Sequence, residues 1–436
     1  MRGVVTAFFR ICMRVFFRRI ELMGLERIPE GGAVIFAVNH PNGLIDPLFL
    51  LCYAPRPVSF LAKAPLFHYF FIGSIVRAFE AIPVYRKQDN AGGSNREMFA
   101  HARALLQRGG SIAIFPEGTT HDDPSLRELK TGAARIALGA TLEDLVVVPT
   151  GIYYTAKHVF RSSALVVFGE PLHVHPVQVD AEGEPPADDV DRLTAAIDAG
   201  LDAVTLQADS HAALVLIGQA EDIFTADEDQ PLVEEFDLRR RFIEGYRFLR
   251  THDPERLRRL EAWIARFERE LQRAKLDVHE LQPHVEWLRL LRAVVLLPLA
   301  TIGAIVSYPT YRLVGLLARR FSEGEEAMMA TVKFLAALAF YPATYLAVAI
   351  AVEWKFGFEA ALATLLALPF VSYLALYVFE ELEDLTGDAR AIVHRVLRRP
   401  SYTRLVALRR KILEEIVIVG KEMEALGSFA PQSPRA

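Results

Sequence analysis

The chain has 436 residues, of which 52% are hydrophobic and 24% charged, with a formal net charge of −5 and a mean hydropathy of +0.21. This composition excludes a disordered protein and a purely polytopic transporter, and it predicts a soluble-type domain joined to a membrane part. The near-neutral charge gives no general attraction to nucleic acid. Cys12 and Cys52 are too few for a disulfide framework, which indicates a reducing compartment.

Residues 1–20 predict an amphipathic helix that lies on a membrane surface. Arginines interrupt the phenylalanine-rich run, so there is no continuous apolar core of a signal peptide. Arg10, Arg14 and Arg18 recur every four residues and would share one helix face. The alternative is a helix packed on the protein's own core.

Residues 21–175 predict a catalytic α/β domain. Short apolar runs alternate with segments of helical spacing, which favours a mixed, mostly parallel sheet covered by helices. In such sheets, ligands bind beyond the carboxyl ends of the strands. Pro149 and Gly151 predict that one strand ends there. The predicted strands are Ala33–Val38, Ser111–Phe115, Leu145–Pro149 and Ala164–Phe168, and the predicted helices are Asn95–Arg108 and Thr131–Ala140.

The C-terminal half predicts helices throughout. Residues 176–285 read as a charged helical region with no chemistry of its own, and residues 286–380 read as a membrane region. Three uncharged windows in it are each long enough to cross a bilayer. They are 293–311, 334–352 and 360–379.

Charge distribution predicts how these windows are used. The tail, residues 381–436, carries ten Lys and Arg. If all three windows spanned the membrane, this tail would lie opposite the catalytic domain, against the positive-inside rule. We therefore predict two full spans and a partial insertion of 293–311, with the catalytic domain and a helical tail on the cytoplasmic face.

A His–Asp pair follows the first predicted strand. His40 can accept a proton near neutral pH, and Asp46 could hold its other ring nitrogen. On a straight helix, residues six apart point about 120° away from each other, so the chain must turn between them. Pro41, Gly43 and Pro47 supply that turn. No Ser or Cys accompanies the pair, which fits activation of a substrate hydroxyl; a structural or surface pair is the alternative.

Cationic and glycine-containing segments follow two later strands. Arg86 and Lys87 end an apolar run and suit a phosphate group, unless they are simply solvated charges. Glu117 and Gly118 end the next strand, where exposed backbone N–H groups could bind an anion; a plain turn is the alternative. Lys130, at the start of a helix, reinforces anion binding.

A metal site is the competing interpretation. His40, Asp46, His121 and Asp122 have ligand types that suit a divalent ion in a phosphohydrolase. The signal is short, because it rests on a His-Asp dipeptide with no further His or acidic cluster nearby.

Four motifs in order resemble the glycerolipid acyltransferase superfamily. They are NH-x5-D at 39–46, IPVYR at 82–86, FPEGT at 115–119 and VPTG at 148–151. The superfamily usually has four residues between His and Asp, and this chain has five. That departure is typical of the branch resembling glycerol-3-phosphate/dihydroxyacetone phosphate acyltransferases. Three longer stretches resemble the same branch: 115–138, 160–172 and 236–246.

The resemblance implies a glycerolphosphate acyltransferase-like fold and a set of roles. His40 would be the general base and Asp46 its partner. The residues implied to bind the acceptor are Arg86, Glu117 and Gly118, with Thr119 of the same motif. Pro149 would shape the acyl side. Lys87 and Lys130 are added to the substrate site from charge alone. The family pattern has no metal ligands, which lowers the metal interpretation further.

The predicted function is a membrane-bound acyltransferase of phospholipid biosynthesis. It would move a fatty acyl group from an acyl thioester, of coenzyme A or acyl carrier protein, to the sn-1 hydroxyl of glycerol-3-phosphate or dihydroxyacetone phosphate, without a cofactor. Membrane lipid, the thioester donor and the glycerol phosphate acceptor are the predicted partners. An sn-2 lysophosphatidate or other lysophospholipid acyltransferase, and a non-catalytic lipid-binding membrane protein, remain alternatives. The residues leave the oligomeric state open.

Overall fold

The structure is a computed structural model of the chain. It divides into two compact units, the first formed by residues 1–207 and 316–336 and the second by residues 208–315 and 337–436. The residues that the structure describes are 2–68, 73–74, 76–77, 79–84, 95–225, 231–274, 276, 278, 287–322, 325–396 and 400–426.

The first unit is built on an eight-stranded sheet. Its strands are β1 (Arg19–Met23), β2 (Ala33–Val38), β3 (Val58–Lys63), β4 (Ile82–Val84), β5 (Ser111–Ile114), β6 (Leu145–Tyr154), β7 (Ser163–Phe168) and β8 (Leu172–Val174). The order across the sheet is β1-β7-β6-β2-β5-β3-β4, and β8 pairs with β6. Among the strand pairs in the described part of the chain, only those of β6 with β7 and with β8 are antiparallel. The predicted mixed, mostly parallel sheet is confirmed.

Parallel pairing brings several strand ends to one edge. β2 runs parallel to β5 and β6, and β3 runs parallel to β4 and β5. All six residues of β2 and all four of β5 are buried, which explains their continuous apolar sequences. The segments after β2 and β5, which carry the candidate residues, therefore start at the same edge of the sheet.

The predicted end of the third strand is wrong. β6 continues through Pro149 and Gly151 to Tyr154, because neighbouring strands hold it on both sides. On one side it pairs with β2 as far as Thr150, and on the other side it pairs antiparallel with β7 from Thr150 onward. Pro149 lacks an N–H donor, but its carbonyl accepts a hydrogen bond from the Gly169 N–H at 2.8 Å. Gly151 is needed because a Cβ there would collide with the Val204 carbonyl.

Helices cover this sheet. They are α1 (Arg2–Phe16), α2 (Ile45–Tyr53), α3 (Asn95–Gln107), α4 (Gly132–Gly139) and α5 (Ala187–Val204). The helix predicted over 1–20 ends at Phe16, and β1 takes the next residues from Arg19. α5 contains Gly200, which packs on Pro149, so this helix belongs to the first unit although it was predicted with the charged region 176–285.

α1 has one face in the protein and one face outside it. Phe9 and Met13 are buried in the core, whereas Phe8 and Ile11 are exposed. The Arg10 guanidinium donates to the Cys52 carbonyl of α2 at 2.5 Å. The helix therefore packs on its own domain and still presents an apolar surface; its contact with a membrane stays a prediction.

The second unit consists of long helices. Those outside the apolar region are α6 (His211–Thr225), α7 (Leu232–His252), α8 (Pro254–Ala274) and α12 (Pro400–Ala425). α8 buries an apolar stripe, in which Ile264 and Phe267 are fully enclosed. α8 and α12 are also joined by ion pairs from Arg256 to Glu415 and Glu422.

Three further helices carry the apolar windows. They are α9 (Trp287–Phe321), α10 (Glu326–Phe356) and α11 (Phe358–Val396). Each contains a stretch long and apolar enough to cross a membrane, namely Leu291–Phe321, Met328–Phe356 and Phe358–Leu382. Most of their large apolar side chains face outward, as lipid-facing helices require.

Candidate active site

The structure brings His40 and Asp46 together. β2 ends at Val38, the chain turns through residues 39–44, and α2 then carries Asp46 in its first turn. The His40 Nδ1 lies 2.9 Å from the Asp46 Oδ2. The predicted turn is therefore present, and it brings together two side chains that a straight helix would point apart.

The Asp46 carboxylate is fully buried and accepts three hydrogen bonds. Besides His40, the Asn42 N–H donates to Oδ2 at 2.7 Å, and the Tyr154 hydroxyl donates to Oδ1 at 2.5 Å. Burial raises the pKa of Asp46 above its ordinary value, and the bonds from His40, Tyr154 and Asn42 oppose that rise. Burial, followed by the charge of Asp46, raises the pKa of Tyr154 well above its ordinary value. Tyr154 is therefore a permanent donor to this carboxylate.

The His40 ring is held so that one nitrogen stays available. Because an ionised carboxylate only accepts, Nδ1 is assigned as the donor to Asp46, which leaves a lone pair on Nε2. The ring stacks on Phe115, with centroids 4.0 Å apart. The His40 side chain is 16% exposed, whereas the Asp46 side chain is 0% exposed. A substrate can therefore reach the histidine and not the aspartate.

The Glu117 side chain holds His40 through the His40 backbone N–H. Its carboxylate is buried and accepts from the His40 N–H at 2.9 Å and from the Arg127 N–H at 3.0 Å. The His121 Nε2 bonds the same oxygen as the Arg127 N–H. Three protein donors thus occupy the carboxylate, so Glu117 fixes the His40 segment. A direct contact between Glu117 and glycerol phosphate stays a prediction.

A cation lies beside Gly118. This glycine has a φ of +74°, and a Cβ there would collide with the Lys130 ammonium group. Lys130 is fixed by its backbone N–H, which donates to the Pro116 carbonyl at 2.8 Å. Its side chain is exposed and makes no ion pair with any residue in the described ranges. Thr119, next to Gly118, is exposed too. Lys130 and Gly118 thus form an open cationic corner adjacent to Glu117.

The other predicted substrate residues lie elsewhere or beyond the described residues. Pro149 is buried, with its ring against Gly200 of α5, as part of a wall. Arg86 and Lys87 follow β4 in the sequence but lie outside the described residues. Their part in phosphate binding stays a prediction.

The four residues of the metal interpretation do not converge on one point. His121 bonds Glu117, whereas Asp122 accepts from the Lys157 ammonium at 2.5 Å and from the Glu326 N–H at 3.1 Å. Within the part of the chain that the structure describes, no three His, Cys, Asp or Glu residues are grouped to hold a metal ion.

Four positioning contacts were missed by sequence reasoning. Asn39 exchanges two hydrogen bonds with the Ile152 backbone, at 3.1 and 2.7 Å. Its place directly before His40 in the motif could have signalled this. No comparable sequence signal marks the hydrogen bonds of Tyr154 and Asn42 to Asp46, or that of His121 to Glu117.

Residues 316–336, here called the α9–α10 segment, belong to the same unit and reach this site. The Thr331 hydroxyl accepts a hydrogen bond from the Leu44 N–H at 3.0 Å. The Lys333 ammonium donates to the His158 carbonyl at 2.5 Å. The first turns of α10 therefore contact His158 and also Leu44, which lies in the segment that links His40 to Asp46.

Comparisons with known proteins give two family matches. Residues 19–153 match the Acyltransferase family, and residues 223–424 match the Glycerol-3-phosphate acyltransferase 2 C-terminal domain. The first match contains His40, Asp46, Glu117 and Lys130. The second covers most of the helical second unit.

Three relatives illustrate the range of similarity. An uncharacterised acyltransferase of Schizosaccharomyces pombe is 28% identical over 62% of this chain and 54% of its own length. Glycerol-3-phosphate O-acyltransferase 2 of Saccharomyces cerevisiae is 31% identical over 43% of this chain and 26% of its own. 1-acyl-sn-glycerol-3-phosphate acyltransferase of Bacillus subtilis is 30% identical over 35% of this chain and 74% of its own.

The chain spans about half, or less, of the length of the two fungal relatives. The bacterial relative aligns over most of its own length, in keeping with a shared acyltransferase domain. Because residues 19–153 match the Acyltransferase family and the chain is 30% identical to the bacterial relative over 74% of that relative's length, the chain belongs to the glycerolipid acyltransferase superfamily.

Proposed function

We propose that the protein transfers a fatty acyl group from an acyl thioester to the sn-1 hydroxyl of glycerol-3-phosphate or dihydroxyacetone phosphate. The observation that carries the proposal is the His40–Asp46 pair, with Nδ1 bonded to Asp46 at 2.9 Å and the ring partly open to solvent. Such a pair supplies a general base without a protein nucleophile, which suits an acceptor hydroxyl and an already activated thioester.

The proposed reaction has two proton transfers at one nitrogen. His40 Nε2 takes the proton of the acceptor hydroxyl while that oxygen attacks the thioester carbonyl carbon. The resulting tetrahedral intermediate expels the thiolate as its carbon–sulfur bond breaks, and His40 returns the proton to the sulfur. Asp46 stabilises the imidazolium between these steps, and general base catalysis of this kind contributes about 10²–10⁴ in rate.

The cationic corner supports a phosphorylated acceptor. Lys130 lies beside Gly118, and Glu117 links this corner to the backbone of His40. A phosphate bound by an ammonium here would fix one end of a small acceptor near the base. We propose that Arg86 and Lys87 complete this site, and that Pro149 contributes to the wall on the acyl side.

The match to a C-terminal domain favours the first acylation step over the second. The bacterial sn-2 relative aligns with 35% of this chain, whereas the Glycerol-3-phosphate acyltransferase 2 C-terminal domain accounts for residues 223–424 as well. An acyltransferase acting on lysophosphatidate remains the competing outcome of the experiment below.

We also propose a membrane arrangement with two spans. Thr331 contacts Leu44, so α10 would leave from the side that holds the acyltransferase domain. If α10 and α11 both cross, the chain returns to that side before α12. α12 forms ion pairs with Arg256 of α8, and α8 precedes α9 in the sequence. Both ends of α9 would then lie on one side, as partial insertion of 293–311 requires. The ten Lys and Arg of the tail favour the cytoplasmic face for that side.

An acceptor panel tests the proposed function. The purified protein in mild detergent receives labelled palmitoyl-coenzyme A with glycerol-3-phosphate, dihydroxyacetone phosphate or lysophosphatidate, each offered separately. We expect product from one of the first two acceptors, lost in His40→Ala and kept in His173→Ala, which removes an exposed histidine of β8. Product from lysophosphatidate alone would move the enzyme to the second step. No product with either coenzyme A or acyl carrier protein thioesters would contradict the proposal.

A further inference from the structure

The helix that carries Asp46 lacks a cap of its own. α2 starts after Leu44, whose side chain cannot accept a hydrogen bond, and no side-chain cap bond is found at this end. Helix N-termini leave backbone N–H groups without partners, and a side chain from the first turn often accepts the N–H of the capping residue. In α2 that acceptor comes from the Thr331 hydroxyl, 3.0 Å from the Leu44 N–H.

Thr331 is itself fixed in place. It is buried, with 8% exposure. Lys333 lies two residues further along α10, and its ammonium group donates to the His158 carbonyl at 2.5 Å. The next side chain, Phe334, packs on Phe9 and Phe16 of α1, with ring centroids 6.4 and 5.7 Å apart. The hydroxyl is therefore presented to Leu44 from a rigid position.

The α9–α10 segment also reaches the other side of the histidine. The Glu326 N–H donates to Asp122 at 3.1 Å. Asp122 follows His121, which bonds the Glu117 carboxylate that in turn accepts the His40 N–H. One segment thus touches both the helix that carries Asp46 and the strand end that supports His40.

We propose that Thr331 is a positioning residue for the His40–Asp46 pair. By capping α2 from near the start of α10, it fixes the first turn of α2 and hence the direction of the Asp46 carboxylate. The docked α9–α10 segment thus helps to hold the catalytic pair in its direction, and it supports the reaction without touching the substrate. The kinetic consequence rests on the proposed function; the cap itself does not.

The test compares an isosteric variant with a conservative one. Thr331→Val removes the hydroxyl and keeps the shape, whereas Thr331→Ser keeps the hydroxyl. Thr344→Val is the matched control, because Thr344 lies on the same helix and bonds Thr310 and the Phe340 carbonyl. We expect Thr331→Val to lower kcat about fivefold or more, with KM for donor and acceptor within about twofold, while the other two variants keep the original kcat.

A second readout does not depend on activity. Hydrogen–deuterium exchange of the Leu44 amide, read in the shortest peptides covering residues 39–46, should quicken about tenfold in Thr331→Val and stay slow in Thr331→Ser. If Thr331→Val does not fold, Lys333→Met tests the same docking and should quicken the same amide. Unchanged exchange in the folded valine variant would overturn the proposal. A wild-type protein inactive on all acceptors would contradict the proposed function alone, since the amide still reports the cap.

Discussion

Asp46 and Glu221, a buried carboxylate from each unit, have opposite surroundings. Asp46 in the acyltransferase unit accepts hydrogen bonds from His40, Asn42 and Tyr154. Glu221 in the helical unit is as deeply buried, but it bonds Arg239 through one oxygen, and the other has no partner among the described residues. Burial alone therefore does not mark a catalytic group.

The difference lies in the partner of each carboxylate. Arg239 cannot release its proton in a protein, so it cannot exchange a proton with a substrate as an imidazole can. An imidazole can both accept and return a proton, and the second nitrogen of His40 remains open. The site is defined by a fully satisfied carboxylate behind a titratable, partly exposed base.

Asp46→Asn should have the largest effect among the variants that keep His40. The asparagine amide would donate to Nδ1, which moves the imidazole proton to Nε2 and blocks proton uptake. We expect kcat to fall by at least about 10²-fold, the lower end of general base contributions. Circular dichroism should show an intact fold. A variant with near-normal kcat would mean that Asp46 is as purely structural as Glu221.

His121→Ala tests how much the support of the His40 backbone contributes to the reaction. In His121→Ala, Glu117 loses one of its three donors and holds the His40 N–H less firmly. A hydrogen bond to a charged group is worth about 1.5–3 kcal/mol, so we expect kcat to fall roughly tenfold.

His121→Gln is the matched control for that variant. The glutamine amide nitrogen lies at about the position of Nε2 and should restore most of the loss. His121→Asn, whose amide corresponds to Nδ1, should not. Equal rates in the glutamine and asparagine variants would argue against a hydrogen bond to Glu117 as the cause.

Tyr154→Phe should shift a pH profile rather than abolish turnover. Loss of the hydroxyl removes a donor that stabilises the ionised Asp46, whose pKa is already raised by burial. The pKa therefore rises further, and the carboxylate is protonated at a higher pH. We expect the acid limb of kcat/KM to move to higher pH, with kcat at pH 8 reduced only a few-fold. An unmoved acid limb would separate Tyr154 from the titration of the pair.

Glu221→Gln should leave turnover unchanged and alter stability instead. Burial, opposed by Arg239, raises the pKa of Glu221 from 4.5 to about 7. A raised carboxyl pKa contributes stability that is present below pH 4.5 and lost as the pH rises through 7. The wild-type helical unit should lose roughly 3 kcal/mol across this range.

Thermal unfolding in detergent, followed by circular dichroism at several pH values, checks this. The glutamine variant should lack the downward slope of melting temperature between pH 5 and pH 8. A slope equal to that of the wild type would show that another group causes it.

The sequence was most informative where a residue's neighbours along the chain decide its structure. The strands at Ala33–Val38 and Ala164–Phe168 are continuous apolar runs, and the structure has them within one residue. The turn between His40 and Asp46 could be read from Pro41, Gly43 and Pro47. The end of the strand at Pro149 was wrong, because pairing with β7 begins at Thr150 on the side opposite β2, which is a property of the sheet and not of the proline.

The contacts that orient the pair could not be predicted from the chain alone. Tyr154 lies 108 residues from Asp46, and Thr331 lies 287 residues from Leu44. Both are side chains common in strands and helices, so only their position in the fold gives them a role. Glu117 was singled out for substrate binding, which stays a prediction, whereas its bond to the His40 N–H could be found only in the fold.

A double-mutant cycle tests the central claim, that Asp46 acts through His40, most directly. Single-turnover rates with labelled acyl thioester and the preferred acceptor would be measured for His40→Ala, Asp46→Asn and the double variant. If the two residues form one unit, the double variant should be no slower than His40→Ala alone. If instead the two losses multiply, Asp46 contributes independently of the histidine, and the general base account of this site is wrong.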